Sequence, residues 1–139
     1  MTFPGIYDNE CVYIKCSSSD NACLQGKVTT TDGTTAFTLI DIPIPKNTAM
    51  RITSRVLGTR IGGTSGTAGN SWAYDVFTKA KNINNTITVL PINITKFGDN
   101  NIPVISYIPS GQNMRVTIVG VAGNNIKWTS THCIIFTSY

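Results

Sequence analysis

Few residues in this chain are equipped for chemistry, and their spacing keeps them apart. The soft-metal and nucleophilic candidates are four cysteines, Cys11, Cys16, Cys23 and Cys133, and a single histidine, His132. Tetrahedral zinc accepts thiolates and imidazole, so a Cys₃His site from Cys11, Cys16, Cys23 and His132 is chemically sensible. The intervals between the first three cysteines are not those of zinc knuckles, which argues against it. His132 recurs in step with Ile126, Trp128, Ser130 and Ile134, the pattern of a histidine packed on one strand face. Cys133 then points to the opposite face and is a poor partner for a catalytic dyad. Acid–base catalysis needs paired carboxylates, or one beside a His, Lys or Tyr. The acids are Asp8, Glu10, Asp20, Asp32, Asp41, Asp75 and Asp99, and most fall at turns or near the N-terminus, where such side chains cap their own backbone. Asp75 lies mid-strand beside Tyr74, within cross-strand reach of Arg51, Arg55 or Arg60, an ion pair worth about 0.2–1 kcal/mol. No second acid faces it. The reading is a non-enzyme, with no catalytic residue, metal ligand or cofactor assigned.

The glycines Gly58, Gly62, Gly63, Gly66 and Gly69 suggest a phosphate loop only superficially. A P-loop needs a Lys after its last glycine, and a dinucleotide fingerprint needs a helix after it. Here Asn70 follows and the next segment reads as a strand. Charged residues form 13% of the chain, well below the usual share, while Thr, Ser, Asn and Gly abound. That composition suits pleated surfaces and tight turns. The net charge of +4 comes from a scarcity of acids, and Lys and Arg are spread without a basic stripe, so nucleic acid is not an expected partner. Trp72 and Tyr74 are candidate glycan or receptor contacts, since aromatic faces serve sugar recognition. The competing reading, that Trp72 and Trp128 fill a core, is favoured because both lie in alternating strands.

These residues must be positioned by strands. Met50, Ile52 and Val56 alternate with Arg51, Thr53 and Arg55, the period of a half-buried strand. Strands are expected at Cys11–Lys15, Thr35–Ile42, Ala49–Arg60, Ser71–Lys79, Thr86–Leu90, Pro103–Ile108, Met114–Val121 and Ile126–Thr137. The last two form a hairpin about Val121–Asn125. No segment has a helical period. The expected class is all-β, an antiparallel β-sandwich, jelly-roll-like, with an extended N-terminal arm. The expected division is an attachment arm at 1–33 and a sandwich domain at 34–139.

The arm is polar and carries little apolar surface against an ordering cost of about 1–2 kcal/mol per residue. Phe3, Ile6, Tyr7, Val12 and Ile14 are therefore expected to dock it on a neighbouring subunit. The cysteine redox state is open: a Cys11–Cys16 bridge would restrict the unfolded chain by roughly 2 kcal/mol, whereas a chain made in the cytosol usually keeps its thiols. No bilayer-length apolar run and no signal segment are apparent, so no membrane partner is expected.

Several segments carry a family likeness: Arg51 to Arg60 with Gly58, the glycine-rich loop, Ser71-Trp-Ala-Tyr74, Lys81 to Thr86, Met114 to Gly120, and Asn125-Ile-Lys-Trp128. Together they resemble a β-rich domain of bacteriophage tail-fibre, spike and head-fibre proteins, over about residues 49–137. Asn85 stands where such domains often carry glycine, and the cysteine-bearing arm has no counterpart there. The resemblance implies a virion structural protein, a capsid decoration, head-fibre or tail-fibre component. Its implied partners are itself, as a homotrimer, and other virion proteins. The alternative is a lectin-like module binding a host surface glycan.

Overall fold

The computed structural model describes residues 21–99 and 103–139. Within them the chain forms β1 (Asn21–Thr30), β2 (Ala36–Pro43), β3 (Thr48–Gly63), β4 (Ser71–Ile83), β5 (Thr86–Gly98), β6 (Val104–Ser110), β7 (Asn113–Val119) and β8 (Asn124–Ser138). There is no helix among the described residues.

The strands pair in antiparallel fashion into a five-stranded sheet, β1-β8-β3-β4-β5, and a three-stranded sheet, β2-β7-β6. Pairing β1 with β8 and β2 with β7 sends both ends of the described chain through both sheets, the winding of a jelly roll. The strands β3, β4 and β5 then run as a meander. The expected antiparallel sandwich is therefore found, and the cause is the alternation read above. Met50, Ile52, Val56 of β3, Trp72, Tyr74, Val76 of β4 and Ile126, Trp128, Ile134 of β8 face inward and are buried. Met114, Val116 and Ile118 of β7, with Leu39 and Ile42 of β2, close the core from the other sheet.

One row of the large sheet alternates large and small residues. Gly58 on β3 is the register partner of both Trp128 on β8 and Trp72 on β4, and Trp72 in turn faces Gly98 on β5. A Cβ on Gly58 would lie 2.3–2.6 Å from three carbons of the Trp128 indole, and one on Gly98 would lie 2.5 Å from Trp72 Cδ1. The glycines supply the space the indoles occupy. Trp128 completes its burial by donating Nε1–H to Thr30 Oγ1 at 3.0 Å. The β4–β5 hairpin turns on Asn84 and Asn85, with φ of 51° and 66°. Asparagine tolerates this left-handed backbone better than other side-chain-bearing residues do.

Three elements differ from the sequence reading. Asn21–Thr30, read as the end of an arm, is an edge strand hydrogen-bonded to β8. Its alternation is interrupted at Gly26, where a Cβ would sit 2.7 Å from both Leu39 O and Ser130 Oγ; the sheets approach too closely there for a side chain. The strand expected at Thr86–Leu90 runs on to Gly98, and β3 extends to Gly63. The short strand at Cys11–Lys15 and the docking residues Phe3, Ile6, Tyr7, Val12 and Ile14 lie outside the described residues.

Candidate functional site

His132 is fully buried on β8, the expected packing position. Its register partner on β3 is Ser54, whose Oγ lies 2.7 Å from His132 Nδ1, while Nε2 lies 2.8 Å from Ser130 Oγ. Ser130 donates its hydroxyl to the carbonyl of Gly26 on β1 at 3.3 Å. Its one proton is thus committed, so Nε2–H donates to Ser130 and Nδ1 accepts from Ser54. The polar line Ser54–His132–Ser130–Gly26 crosses three adjacent strands inside the core. Burial lowers the imidazole pKa to about 4, so the ring is neutral at physiological pH and its hydrogen bonds are internally satisfied. The same desolvation pushes the Tyr74 and Tyr107 hydroxyls above their ordinary range.

Three of the described acids are likewise held in structural contacts. Asp32 accepts the backbone N–H groups of Thr35 and Thr34 at 2.6 and 2.8 Å, with the Thr35 bond chiefly lowering its pKa. Asp41 is held below the usual carboxylate range by the Arg115 guanidinium, bonded at 2.8 and 3.1 Å. Asp99 accepts the N–H of Ser71 at 2.7 Å. Asp75 on β4 stands opposite Arg55 on β3, one of its three expected partners. No cluster of three or more His, Cys, Asp or Glu side chains suited to a metal occurs among the described residues.

Trp72 and Tyr74, the candidate glycan contacts, are placed in the core. They are 2% and 1% exposed, and both rings pack against Trp128 with centroids 6.3 and 6.1 Å away. The Tyr74 hydroxyl donates to the Pro103 carbonyl. A sugar platform needs ring faces in water, so neither residue can serve as one in this fold.

What the fold leaves uncovered lies elsewhere. Among the described residues β5 is the last strand of the large sheet and has no strand on its outer side. Ile92 and Ile94 are register partners of Thr78 and Val76, which puts them on the core-facing side. The smaller sheet does not cover them, and they are exposed, as are Leu90 and Phe97. Val104 and Ile108 on β6, the corresponding edge of the small sheet, are also exposed. On the outer face, Leu57, Ala73 and Phe97 form an apolar row across β3, β4 and β5. Exposed apolar edges are templates for pairing with another chain, and soluble proteins normally blunt them with charge or bulges. Along Leu90–Gly98 only Lys96 is charged. Sequence reading missed this edge, although Ile92, Asn93, Ile94 and Thr95 alternate; the expected strand stopped at Leu90, just before Pro91 and eight residues short of Gly98.

Hollows also mark the surface of the described residues. A shallow trough of about 420 Å³ on the outer face of the large sheet is lined by Lys27, Arg55, Leu57, Asp75, Thr129 and Thr131, among others. A second, of about 690 Å³, lies where the glycine loop (Ser65, Gly66, Thr67) meets Gly33, Pro103 and Ala122. The glycine loop and the turn at 82–85 thus occupy opposite ends of β4, each at an end of the sandwich.

No protein-family model matches the chain, and no curated protein matches it in sequence. Similarity appears in solved structures. The tailspike protein of Acinetobacter baumannii phage AM24 superposes with a TM-score of 0.53 at 11% identity, over 84% of this chain and 26% of the tailspike. A second tailspike, from Acinetobacter baumannii bacteriophage Fri1 and described as a capsular polysaccharide depolymerase, gives 0.38 at 12% identity, over 85% and 20%. Bacillus endospore appendages, described as disulfide-linked pili, give 0.29 at 13% identity, over 85% and 89%. The chain therefore spans about a quarter of the tailspike whose fold it shares. What is shared is a β-sandwich architecture.

Proposed function

We propose that this chain is a structural subunit that works by protein–protein assembly, as a building block of an external particle. The observation that carries the reading is the edge of the sandwich, where Ile92 and Ile94 of β5 are left exposed on the core-facing side and Phe97 on the outer face, with Val104 and Ile108 exposed on the outer side of β6. Exposed apolar edges of this kind are ready surfaces for another chain to cover. The particle we assign is a virion, as a tail-fibre, spike, head-fibre or decoration component that associates with copies of itself, as a homotrimer, and with other virion proteins. The tailspike-like fold supports that assignment. Non-catalytic action is supported by the carboxylates of Asp32, Asp41 and Asp99, each held in a structural contact. The glycan-binding alternative loses both of its aromatic residues to the core.

A second setting is favoured by Cys133, which is disulfide-bonded. Disulfides persist in oxidising surroundings and are rare in the cytosol. A particle that works outside the cell accommodates that bond.

The test is a charge placed on the edge. Ile92→Lys with Ile94→Lys should leave the circular dichroism spectrum unchanged, because both side chains are outside the core, and should convert an oligomer to monomer in sedimentation velocity. A variant that assembles like the parent would remove the β5 edge from the function.

A further inference from the structure

The fold gathers cations that the sequence spreads out. On the outer face of the large sheet Arg51 of β3 and Lys79 of β4 are direct register partners, and Lys81 is diagonal to Arg51. Further along the same face Lys27 of β1 and Lys127 of β8 are diagonal neighbours. Like charges directly opposite one another destabilise a sheet. The strands of this sheet carry one acid, Asp75, and it stands opposite Arg55. Among the described residues, none of the five cations Arg51, Lys79, Lys81, Lys27 and Lys127 is in an ion pair. Set between them on the same face, Leu57, Phe77, Phe97 and Ile135 are exposed. Such a face suits a partner that brings carboxylates and apolar side chains together.

The body of a second copy does not supply them. Beyond residue 20 the acids are Asp32, Asp41 and Asp99, each held in a structural contact, and Asp75, which lies on the basic face itself. The first 20 residues do supply them. They lie outside the described residues, and their sequence sets Asp8, Glu10 and Asp20 against one cation, Lys15, among the apolar Phe3, Ile6, Tyr7, Val12 and Ile14. Their formal side-chain charge is −2, against +6 for residues 21–139. They join the described chain at Asn21, whose row across the sheet continues through Ile135 and Arg51 to Lys79. With strands about 4.8 Å apart, Lys79 is about 15 Å from that junction, and 20 extended residues reach about 70 Å. Apolar residues that the sequence alone sends to a neighbouring subunit therefore have a receiving surface on their own chain.

We propose that residues 1–20 lie across the outer face of their own large sheet, with the carboxylates of Asp8, Glu10 and Asp20 on the Arg51–Lys79–Lys81 cluster and their apolar side chains against Phe77 and Ile135. Tethering selects the chain's own face. A segment anchored so close to the cluster has an effective concentration there of about millimolar, which a segment from a free subunit must outcompete. The segment neutralises the opposed Arg51 and Lys79 and covers the apolar side chains between the cations. It leaves the β5 edge as the surface open to other subunits.

The test is zero-length carbodiimide cross-linking, which joins a Lys amine to a carboxylate only where the two meet. Isotope-labelled and unlabelled full chains are mixed in denaturant, refolded together at one disulfide state, cross-linked and read by peptide mass mapping. The expected result is links from Asp8, Glu10 or Asp20 to Lys79 and Lys81 within one isotope, several-fold more frequent than links to Lys46 or to Lys96, whose register partner Tyr74 faces the core. Raising salt from 0.1 to 1 M, which shortens the screening length from about 10 to about 3 Å, should suppress them several-fold. Arg51 is exposed, so Arg51→Glu should keep the circular dichroism spectrum while the Lys79 and Lys81 links fall several-fold. Links joining opposite isotopes at half or more of the total would assign the segment to a neighbouring subunit and overturn the proposal. Absence of the Lys79 and Lys81 links, equal linking to Lys46 and Lys96, or links unchanged in Arg51→Glu would overturn it too. None of these readouts depends on whether the β5 edge assembles.

Discussion

Gly58→Ala is expected to destabilise the protein by about 2 kcal/mol, although adding a methyl group to a strand glycine is ordinarily mildly favourable. The new Cβ would stand 2.3, 2.4 and 2.6 Å from Cζ3, Cε3 and Cη2 of Trp128, where carbon atoms prefer about 3.5–4.0 Å. The indole must retreat by more than an ångström, yet it is fully buried and flanked by Trp72 and Tyr74. Overpacking of this kind costs about 1–3 kcal/mol. The retreat also strains the hydrogen bond from Trp128 Nε1 to Thr30 Oγ1, worth about 1 kcal/mol. Against these stands a gain of about 0.4–1 kcal/mol from the stiffer unfolded chain. The control is Gly62→Ala, on the same strand, where the nearest atom to a new Cβ is Asn125 Nδ2 at 3.7 Å; it should be neutral or stabilising by up to about 1 kcal/mol. Urea unfolding at fixed disulfide state, followed by tryptophan fluorescence, reads both. Equal midpoints for Gly58→Ala and the parent would refute the alternating tryptophan–glycine row as a packing determinant.

His132 should make stability depend on pH. Its folded pKa, about 4, lies below its ordinary 6.5, so the unfolded chain binds the proton more tightly; the contribution is complete above pH 6.5 and is lost as pH falls towards 4, by on the order of 3 kcal/mol. In His132→Asn that slope should vanish from denaturation curves across this range, with assembly at neutral pH retained and stability there reduced by about 1 kcal/mol for a lost hydrogen bond; an unchanged slope would assign the pH dependence elsewhere. Asn85→Gly should raise the thermal midpoint slightly, since φ is 66° there and glycine adopts it without steric cost; a fall would mean the asparagine side chain contributes to the turn. Trp72→Ala should lower stability by about 3–5 kcal/mol, and any loss of glycan binding in that variant should track loss of fold.

The parts of the fold that could be read from sequence are those where one face is buried and the other wet. Ala49–Arg60, Met114–Val121 and Ile126–Thr137 alternate because each has a core side, and His132 fell on the correct face for the same reason. Where that condition fails, the signal fails. β1 was hidden by Gly26, whose missing side chain reflects contacts with Leu39 on the facing sheet and with Ser130, far along the chain. The outer half of β5 is exposed on both faces, so its alternation marks no core in this chain. The serines that hold His132 are ordinary strand residues in sequence, and only the β3–β8 register brings Ser54 to the ring. Trp72 and Tyr74 raised two readings because an aromatic in an alternating strand suits either a core or a platform. The choice was made by the glycines across from Trp72 and by the Pro103 carbonyl that accepts the Tyr74 hydroxyl proton.

The central claim is that the open edge belongs to an assembly. Native mass determination of the full wild-type chain, diluted through the micromolar range under oxidising conditions, tests it most directly. The account predicts oligomers that persist on dilution and that become monomers in the Ile92→Lys, Ile94→Lys protein. A folded wild-type monomer at every concentration would contradict it.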